Sequence, residues 1–382
     1  MNVVYMDNAA TTWPKPEAVY QAIDNFNRNL GANPGRGSNK RTLEAGMVLL
    51  DTRESLAQLF NIQDSCQIVY TPNVTEALNL GIKGLVSAGD HVITTSMEHN
   101  SVARPLHVLQ QHGVELTIVG CAPDGSLNPE DTAKAIKSNT RLIVMMHASN
   151  LVGTIMPITE VGKIAHEHGI PFMVDSAQTA GVLPIDVERD NIDLLAFTGH
   201  KGLLGPQGTG GLYIRPGIEV RQLKEGGTGS LSNLLEQPSV LPDRYESGTQ
   251  NGPGIAGLGA GIKYIREHGL ADIRAHEQML TDYLLTGFDE IPGVIIYGPR
   301  NSERQTAVVS INVDGMDCGE LSLYLDHEFG IITRSGLHCT PLAHQTIGTL
   351  ERGTCRFSPG LFTTKADIET VVKAVHAIAK QV

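Results

Sequence analysis

The sequence predicts an α/β protein whose large domain contains a seven-stranded, mainly parallel sheet between helices. Between residues 17 and 254, helical patterns alternate with short, β-branched apolar runs, which is typical of a parallel sheet covered by helices. Several runs are apolar at successive positions, as expected of strands buried on both faces. The predicted strands are residues 68–71, 91–95, 116–119, 142–146, 172–175, 194–198 and 210–214.

Helical patterns separate most of these strands, for example over residues 101–111 and 158–168. After Pro253 the pattern changes, and it predicts a smaller α+β domain formed by residues 1–16 and 262–382, with 17–261 as the large domain. The elements predicted there are helices 255–267, 270–289, 319–328 and 365–380 and strands 294–297, 308–313 and 331–334.

Composition excludes several classes of protein. With 41% hydrophobic and 18% charged residues, the chain can bury a core and is not disordered. A net charge of -12 argues against a nucleic-acid or anionic-membrane surface. The N-terminus resembles no signal peptide, and no apolar run reaches the roughly 20 residues of a membrane span. Five scattered cysteines predict neither a disulfide framework nor a cysteine zinc site, so we expect a cytoplasmic protein without a metal site.

Polar residues follow the predicted strands at the points where catalytic chemistry is expected. Thr75, His99, Asn150, Asp175 and Lys201 each lie just beyond, or at the end of, a different strand. Because ligands bind beyond the carboxyl ends of parallel strands, these five residues are expected to meet at one edge of the sheet.

Lys201 and Asp175 suggest an aldehyde cofactor. Lys201 stands between His200 and Gly202, after a strand, and is either an ordinary surface lysine or a residue that forms a Schiff base with a cofactor such as pyridoxal phosphate. A nucleotide-binding phosphate loop does not fit this spacing. Asp175 would pair with the pyridine nitrogen or, equally well from this residue alone, cap a helix.

The remaining strand ends suggest an anion site and a ring contact. Residues 72–77 open a helix, whose N-terminus suits a phosphate, although Asn73 with Glu76 also fits a purely structural capping box. His99 could stack on a ring or relay protons, and Asn150 could bind a substrate or cofactor oxygen; the alternative for each is an ordinary polar residue.

Cys339 differs from the other cysteines. Its predicted position is a loop before Thr340-Pro341, where Arg334 and His338 would favour a thiolate. The others border or begin strands and helices and are interpreted as small packing residues: Cys66, Cys121, Cys318 and Cys355.

The whole chain resembles the cysteine desulfurases of the class V aminotransferase branch of fold-type-I pyridoxal-phosphate enzymes. The order and spacing of short motifs carry the resemblance. They are Tyr5-Met6-Asp7-Asn8-Ala9-Ala10-Thr11-Thr12, Thr75-Glu76-Ala77, Glu98-His99-Asn100, Asp175-Ser176-Ala177-Gln178, Gly199-His200-Lys201, Tyr245-Glu246-Ser247-Gly248-Thr249-Gln250-Asn251 and Arg334-Ser335-Gly336-Leu337-His338-Cys339.

The resemblance implies roles for these residues. Lys201 would hold the cofactor and move the Cα proton, while Cys339 would attack the sulfur of L-cysteine, leaving alanine and a persulfide for an acceptor protein. His99 would stack on the ring. Other cofactor contacts would come from Asp175, Gln178, Asn150, Val74, Thr75, Thr198 and His200, with Thr249 donated by the second subunit of a homodimer. The substrate would be bound by Arg356, Asn150, Ala10 and Arg334.

The chain departs from the short-loop desulfurases that it resembles most. Leu337 stands where they have a first histidine before the cysteine, Thr340-Pro341 follows the cysteine, and Asn39 replaces a histidine. Alternatives on the same scaffold are a selenocysteine lyase or another class V transaminase or lyase. A non-enzymatic alternative is a cofactor-binding sensor or a sulfur-relay scaffold. Iron–sulfur cluster biogenesis is one pathway that the resemblance suggests.

Overall fold

A computed structural model describes residues 3–35, 37 and 39–381. The N-terminal elements are β1 (Val4–Tyr5), α1 (Glu17–Asn25), which continues as one π-helical turn, and α2 (Lys40–Phe60). The large sheet and its helices follow as β2 (Ile68–Thr71), α3 (Val74–Leu85), β3 (His91–Thr95), α4 (Asn100–Gln111), β4 (Glu115–Val119), α5 (Pro129–Lys134), β5 (Thr140–Met146), α6 (Ile158–Glu167), β6 (Phe172–Asp175), β7 (Leu194–Thr198) and β8 (Gly210–Ile214).

The prediction of a seven-stranded, mainly parallel sheet is confirmed. Its strand order is β2-β8-β7-β6-β5-β3-β4, and only β8 is antiparallel to its neighbours. Alternate residues of one strand enter different cores, because side chains alternate across a strand. Phe172 and Val174 pack in the core that includes Phe60 of α2, whereas Met173 packs in the core that includes Leu78 of α3.

A close backbone approach places the start of α3 against the sheet. A Cβ atom on Gly210 would lie 2.7 Å from the carbonyl oxygen of Phe197 and 2.9 Å from the carbonyl carbon of Asn73. Only glycine fits this contact, and it brings the N-terminus of α3 to the edge where β7 ends.

The C-terminal part forms the smaller α+β unit that the sequence predicts. Its elements are α7 (Gly252–His268), α8 (Leu270–Asp289), β9 (Val294–Tyr297), β10 (Val309–Val313), α9 (Cys318–Phe329), β11 (Ile331–Ile332), β12 (Arg334–Gly336), α10 (Pro341–Thr346), β13 (Thr354–Phe357) and α11 (Lys365–Ala379). Four strands form an antiparallel sheet in the order β12-β13-β10-β9. The predicted domain boundary between 261 and 262 lies inside α7, and the division stays a prediction; Met1, Asn2 and Val382 lie outside the described residues.

The single strand predicted over residues 331–334 is wrong. The segment divides at Thr333, because β11 pairs with the N-terminal strand β1 whereas β12 pairs with β13. The Thr333 hydroxyl is hydrogen-bonded to Ser322 Oγ at 2.9 Å. The N-terminal strand β1 is thereby fixed beside β11, a pairing between residues more than 300 positions apart that local patterns do not reveal.

Asn39 has a structural role. Its side chain caps α2 by accepting a hydrogen bond from the Thr42 amide at 3.1 Å. Arg36 and Ser38 of the same segment lie outside the described residues. No helix in the described ranges is long and apolar enough to cross a membrane.

A buried ion pair fixes the segment that carries Thr249. Arg53 of α2 binds Glu246 through two hydrogen bonds of 2.8 and 3.1 Å, and both side chains are more than 90% buried. Glu246 also accepts from the Tyr70 amide at 2.7 Å, and Arg53 donates to the Ile68 carbonyl. The pair therefore ties the start of β2 to residues 245–249.

Replacing Arg53 with alanine is expected to lower the free energy of unfolding by about 3–5 kcal/mol, because Glu246 would remain buried without its cation. Urea unfolding followed by circular dichroism measures the change. Arg28→Ala is the matched control: the Arg28–Asp24 pair is exposed and should contribute less than about 1 kcal/mol. Equal effects of the two substitutions would contradict the assigned role of the buried pair.

Candidate active site

A cavity of about 210 Å³ lies at the carboxyl edge of the large sheet. It brings together ten of the residues predicted from the sequence: Ala10, Val74, Thr75, His99, Asn150, Asp175, Gln178, Thr198, His200 and Lys201. The strands, loops and helix starts that supply them converge there because the parallel strands end at this edge. Ser101, Met146, Ala148 and Ala177 also line the cavity and received no role from the sequence.

The Lys201 side chain has no hydrogen-bond partner among the described residues, and its ammonium form is unusually acidic. Burial lowers the pKa of Lys201 to about 8; Asp175 opposes this shift, and Arg356 and Arg334 add to it. Near neutral pH the amine can therefore both give and take a proton.

Asp175 is a buried carboxylate without a cationic partner in the described chain. It ends β6, and its Oδ1 accepts from the Ala177 amide at 2.9 Å. Burial raises the pKa of the Asp175 carboxyl, opposed by that hydrogen bond and by Lys201. A turn follows instead of a helix, so the alternative that Asp175 caps a helix is wrong.

The start of α3 offers unused hydrogen-bond donors. Asn73 caps the helix by accepting from the Glu76 amide at 3.0 Å, which leaves the Val74 and Thr75 amides without an acceptor among the described residues. Together with the positive end of the helix dipole, these amides can bind an anion. The buried Nδ1 of His200 also lacks a partner, and burial lowers the pKa of His200 to about 4, with Lys201 and Lys15 adding to the shift.

His99 is held as a neutral ring by a residue that the sequence did not reveal. Its Nδ1 accepts from the Ser101 amide at 3.1 Å, so the ring proton lies on Nε2. Ser101 Oγ lies 3.0 Å from the same nitrogen and 2.8 Å from Thr75 Oγ1. Burial, then the charges of Lys201 and Arg334, lower the pKa of His99 to about 4.

Arg356 is not among the residues that line the cavity, and its guanidinium is already hydrogen-bonded within the protein. Its guanidinium is 1% exposed and donates to Asp7 Oδ1 at 2.6 Å and to the Asn150 carbonyl at 2.9 Å, whereas its Nε has no partner. Asp7 belongs to a motif that carried the resemblance but received no role there. The Gln178 amide is likewise engaged, donating to the Ala9 carbonyl at 3.1 Å.

The loop of Cys339 connects β12 to α10 and is held by the large domain. Asn150 Nδ2 donates to the His338 carbonyl at 2.9 Å, and the Asn100 amide donates to the Cys339 carbonyl at 2.8 Å. His338 and Cys339 both adopt left-handed backbone conformations, with φ of 49° and 60°. The thiol is exposed, and Arg334 Nη2 lies 3.8 Å from its sulfur.

His338 does not supply the positive charge that the sequence suggested. Burial, then Arg356, lower the pKa of His338 to about 3, and the ring is hydrogen-bonded to the Arg334 carbonyl through Nε2 at 3.1 Å. A neutral ring cannot stabilise a thiolate by its charge, so that expectation is wrong. Arg334 is the cation beside the sulfur.

The other four cysteines are less accessible. Cys318 and Cys355 are buried, and Cys66 and Cys121 are partly buried. Burial raises the pKa of Cys121 to about 11 and that of Cys355 to about 12, which keeps both as thiols near neutral pH.

Thr249 does not join the cavity of its own chain. It is exposed in a separate cleft of about 180 Å³ that Tyr70, Glu76 and Glu246 also line. Its hydroxyl lies 3.4 Å from Asn33 Nδ2.

Comparisons with known proteins agree on one family. Residues 4–371 match the family model for class-V aminotransferases. The chain is 35% identical to a probable cysteine desulfurase of Methanothermobacter thermautotrophicus, over 98% of this chain and 94% of that protein. It is 31% identical to a cysteine desulfurase of Escherichia coli O157:H7, over 98% and 93% of the two chains. The apo structure of a cysteine desulfurase from Thermococcus onnurineus NA1 superposes with a TM-score of 0.90 at 33% identity, covering 100% of this chain and 95% of that one.

Competitive acetylation across a pH series, read by mass spectrometry, should show Lys201 becoming reactive with a midpoint near pH 8. Asp175→Asn should lower this midpoint, because the Asp175 charge favours the ammonium form. Arg334→Gln should raise it, because the Arg334 charge opposes that form. A midpoint near the ordinary lysine value of about 10.4 would contradict the assigned environment.

Proposed function

The chain belongs to the class-V aminotransferase family, and from this membership and the geometry of the cavity we propose that it is a pyridoxal-phosphate-dependent cysteine desulfurase. It would convert L-cysteine to L-alanine and keep the sulfur as a persulfide on Cys339. The observation that carries the proposal is the exposed Cys339 thiol, beside Arg334, in a loop hydrogen-bonded to Asn150 and Asn100 next to the cavity that contains Lys201 and Asp175.

The residues of the cavity fit pyridoxal phosphate. Asp175 is a buried carboxylate without a cation, as a protonated pyridine nitrogen requires, and the free amides of Val74 and Thr75 suit the phosphate. Lys201 would hold the cofactor covalently, with His99 against the ring and Gln178 at the ring hydroxyl. When bound, the cofactor supplies an electron sink for the carbon atoms of the substrate. Thr198, His200 and the partner's Thr249 complete the proposed phosphate contacts.

Lys201 would move the proton at the substrate Cα. Its pKa near 8 places the amine close to the optimum for general acid–base catalysis near neutral pH. His99 stays neutral in the same range, so it would contribute a flat ring face and no charge. Ser101 holds that ring by its amide and hydroxyl.

Cys339 would attack the substrate sulfur as a thiolate. A bond forms between Cys339 Sγ and the substrate sulfur, the substrate Cβ–S bond breaks, and Cβ takes up a proton to give alanine. Arg334, 3.8 Å from Sγ, would stabilise the thiolate. Arg356 would bind the substrate carboxylate with the N–H groups that Asp7 and Asn150 leave free, helped by Asn150 and by Ala10 at the cavity wall.

A homodimer would complete the site with the partner's Thr249, because Thr249 of the same chain lies in a separate cleft. The persulfide would pass to an acceptor protein. A reducing compartment such as the cytoplasm would keep Cys339 a free thiol between turnovers.

Incubation with L-cysteine and dithiothreitol should give alanine and sulfide in equal amounts. Cys339→Ala should reduce sulfide release to background, because no other exposed thiol lies beside the cavity among the described residues. Cys121→Ala, at a partly buried cysteine, is the matched control and should retain most of the activity.

Lys201→Ala should remove the visible absorbance of the purified protein together with alanine formation. L-selenocysteine tested beside L-cysteine distinguishes a desulfurase from a selenocysteine lyase by the ratio of the two kcat/KM values. A colourless protein that pyridoxal phosphate cannot reconstitute would overturn the proposal.

Subunit mixing tests the role of Thr249. A heterodimer of Lys201→Ala and Thr249→Ala subunits should keep one intact site if Thr249 acts across the interface, and none if it acts within its own chain. The measurement is cofactor retained per heterodimer after gel filtration, with each homodimer as the control. Loss of both sites would contradict donation between subunits.

A further inference from the structure

We propose that the sulfur acceptor of this desulfurase docks as an extended, acidic, cysteine-bearing polypeptide segment in a cationic groove that begins at Cys339. The groove has a volume of about 400 Å³, and we define it by Asn79 and Lys83 of α3, Arg104 and Val108 of α4, and Cys339. The inference rests on the proposed function, because it names the partner of that site.

The Cys339 sulfur stands at one end of the groove. The Asn100 amide, at the first residue of α4, donates to the Cys339 carbonyl at 2.8 Å and so places the cysteine at the N-terminus of that helix. The positive end of the α4 dipole favours an anionic sulfur there. Thr75 and His99 line both the groove and the cavity, so the groove is continuous with the site of sulfur release.

The charge of the groove differs in sign from that of the chain. Lys83 and Arg104 line it, whereas none of its described lining residues carries a carboxylate, although the chain has a net charge of -12. Neither cation forms an ion pair with a described residue. Glu76 nearby is neutralised by Lys224, and Arg334 adds a third cation at the sulfur. Such a cleft attracts acidic partners and repels basic ones.

The length of the groove and the exposed apolar side chain of Val108 favour a polypeptide over a small thiol as the ligand. Thr75 and Lys83 are eight residues apart on α3, a distance of about 12 Å at 1.5 Å per residue. An extended chain covers this length with about four residues at roughly 3.3 Å each. Val108 is 44% exposed, so it offers an apolar contact that a small thiol bound at Cys339 would not reach.

In the transfer, the acceptor thiolate attacks the outer sulfur of the Cys339 persulfide. One sulfur–sulfur bond forms to the acceptor, the bond to Cys339 Sγ breaks, and Cys339 leaves as a thiolate. No oxidant or reductant is consumed. The cations of the groove would favour the approach of an acidic segment to this anionic sulfur.

The groove can be tested without desulfurase activity by thiol–disulfide exchange. Three heptapeptides carry a central cysteine activated as a 2-pyridyl disulfide, flanked by Asp and Glu, by Ser and Gly, or by Lys and Arg. Release of 2-thiopyridone reports attack by Cys339, with Cys339→Ser as the blank and each rate normalised to that of 2-mercaptoethanol. At low ionic strength the acidic peptide should react about 10-fold or more faster than the basic one, and salt should reduce the ratio.

Charge-reversal variants test whether the preference for the acidic peptide arises in the groove. Arg104→Glu and Lys83→Glu should each lower the ratio of acidic to basic rates several-fold, whereas Lys163→Glu, at an exposed lysine of α6 outside the groove, should leave it unchanged. Equal rates for the acidic and basic peptides would overturn the proposal that the groove docks an acidic segment. An effect of Lys163→Glu as large as that of Arg104→Glu or Lys83→Glu would overturn it as well. Alanine formation from L-cysteine is measured on the same preparations, and its absence would overturn the desulfurase proposal independently of the exchange rates.

Discussion

The ion pair between Asp7 and Arg356 lies where three separate parts of the chain meet, and the rest of the site depends on it. Asp7 follows the N-terminal strand β1, Arg356 belongs to β13 of the C-terminal sheet, and the same guanidinium donates to the carbonyl of Asn150 in the large domain. Asn150 in turn holds the Cys339 loop through the His338 carbonyl. Because Arg356 is buried, loss of Asp7 would leave its positive charge without compensation. The ion pair therefore constrains the relative positions of the N-terminal segment, β13 and the Asn150 segment.

Burial determines which groups near the cavity carry charge. The pKa values of His99 and His200 are lowered to about 4 and that of His338 to about 3, so these rings are neutral near neutral pH. Positive charge therefore resides on Lys201, Arg334 and Arg356. This arrangement favours anionic ligands, as the proposed phosphate, substrate carboxylate and thiolate would be, while the neutral rings remain available for stacking and hydrogen bonding.

The loop that carries Cys339 has a backbone held by hydrogen bonds and a sulfur exposed to solvent. Two left-handed residues turn the chain between β12 and α10, and hydrogen bonds from Asn150 and Asn100 hold the backbone carbonyls of His338 and Cys339. Backbone contacts therefore position the loop, and the sulfur stays accessible. Under the proposed function, such a residue would face the cavity during sulfur abstraction and the proposed acceptor during sulfur transfer.

The sequence by itself determined the seven strands of the large sheet, the strand-end positions of Asp175 and Lys201, and the loop position of Cys339, because apolar periodicity and motif spacing are local properties. Tertiary structure alone decided the division of 331–334 between two sheets, the contact of Ser101 Oγ with Thr75 Oγ1, the pairing of Asp7 with Arg356 and the neutral state of His338. Most of these features join residues far apart in the chain or depend on burial. A charge state or a hydrogen-bond partner is set by what surrounds a side chain in space, and a linear pattern does not contain that information.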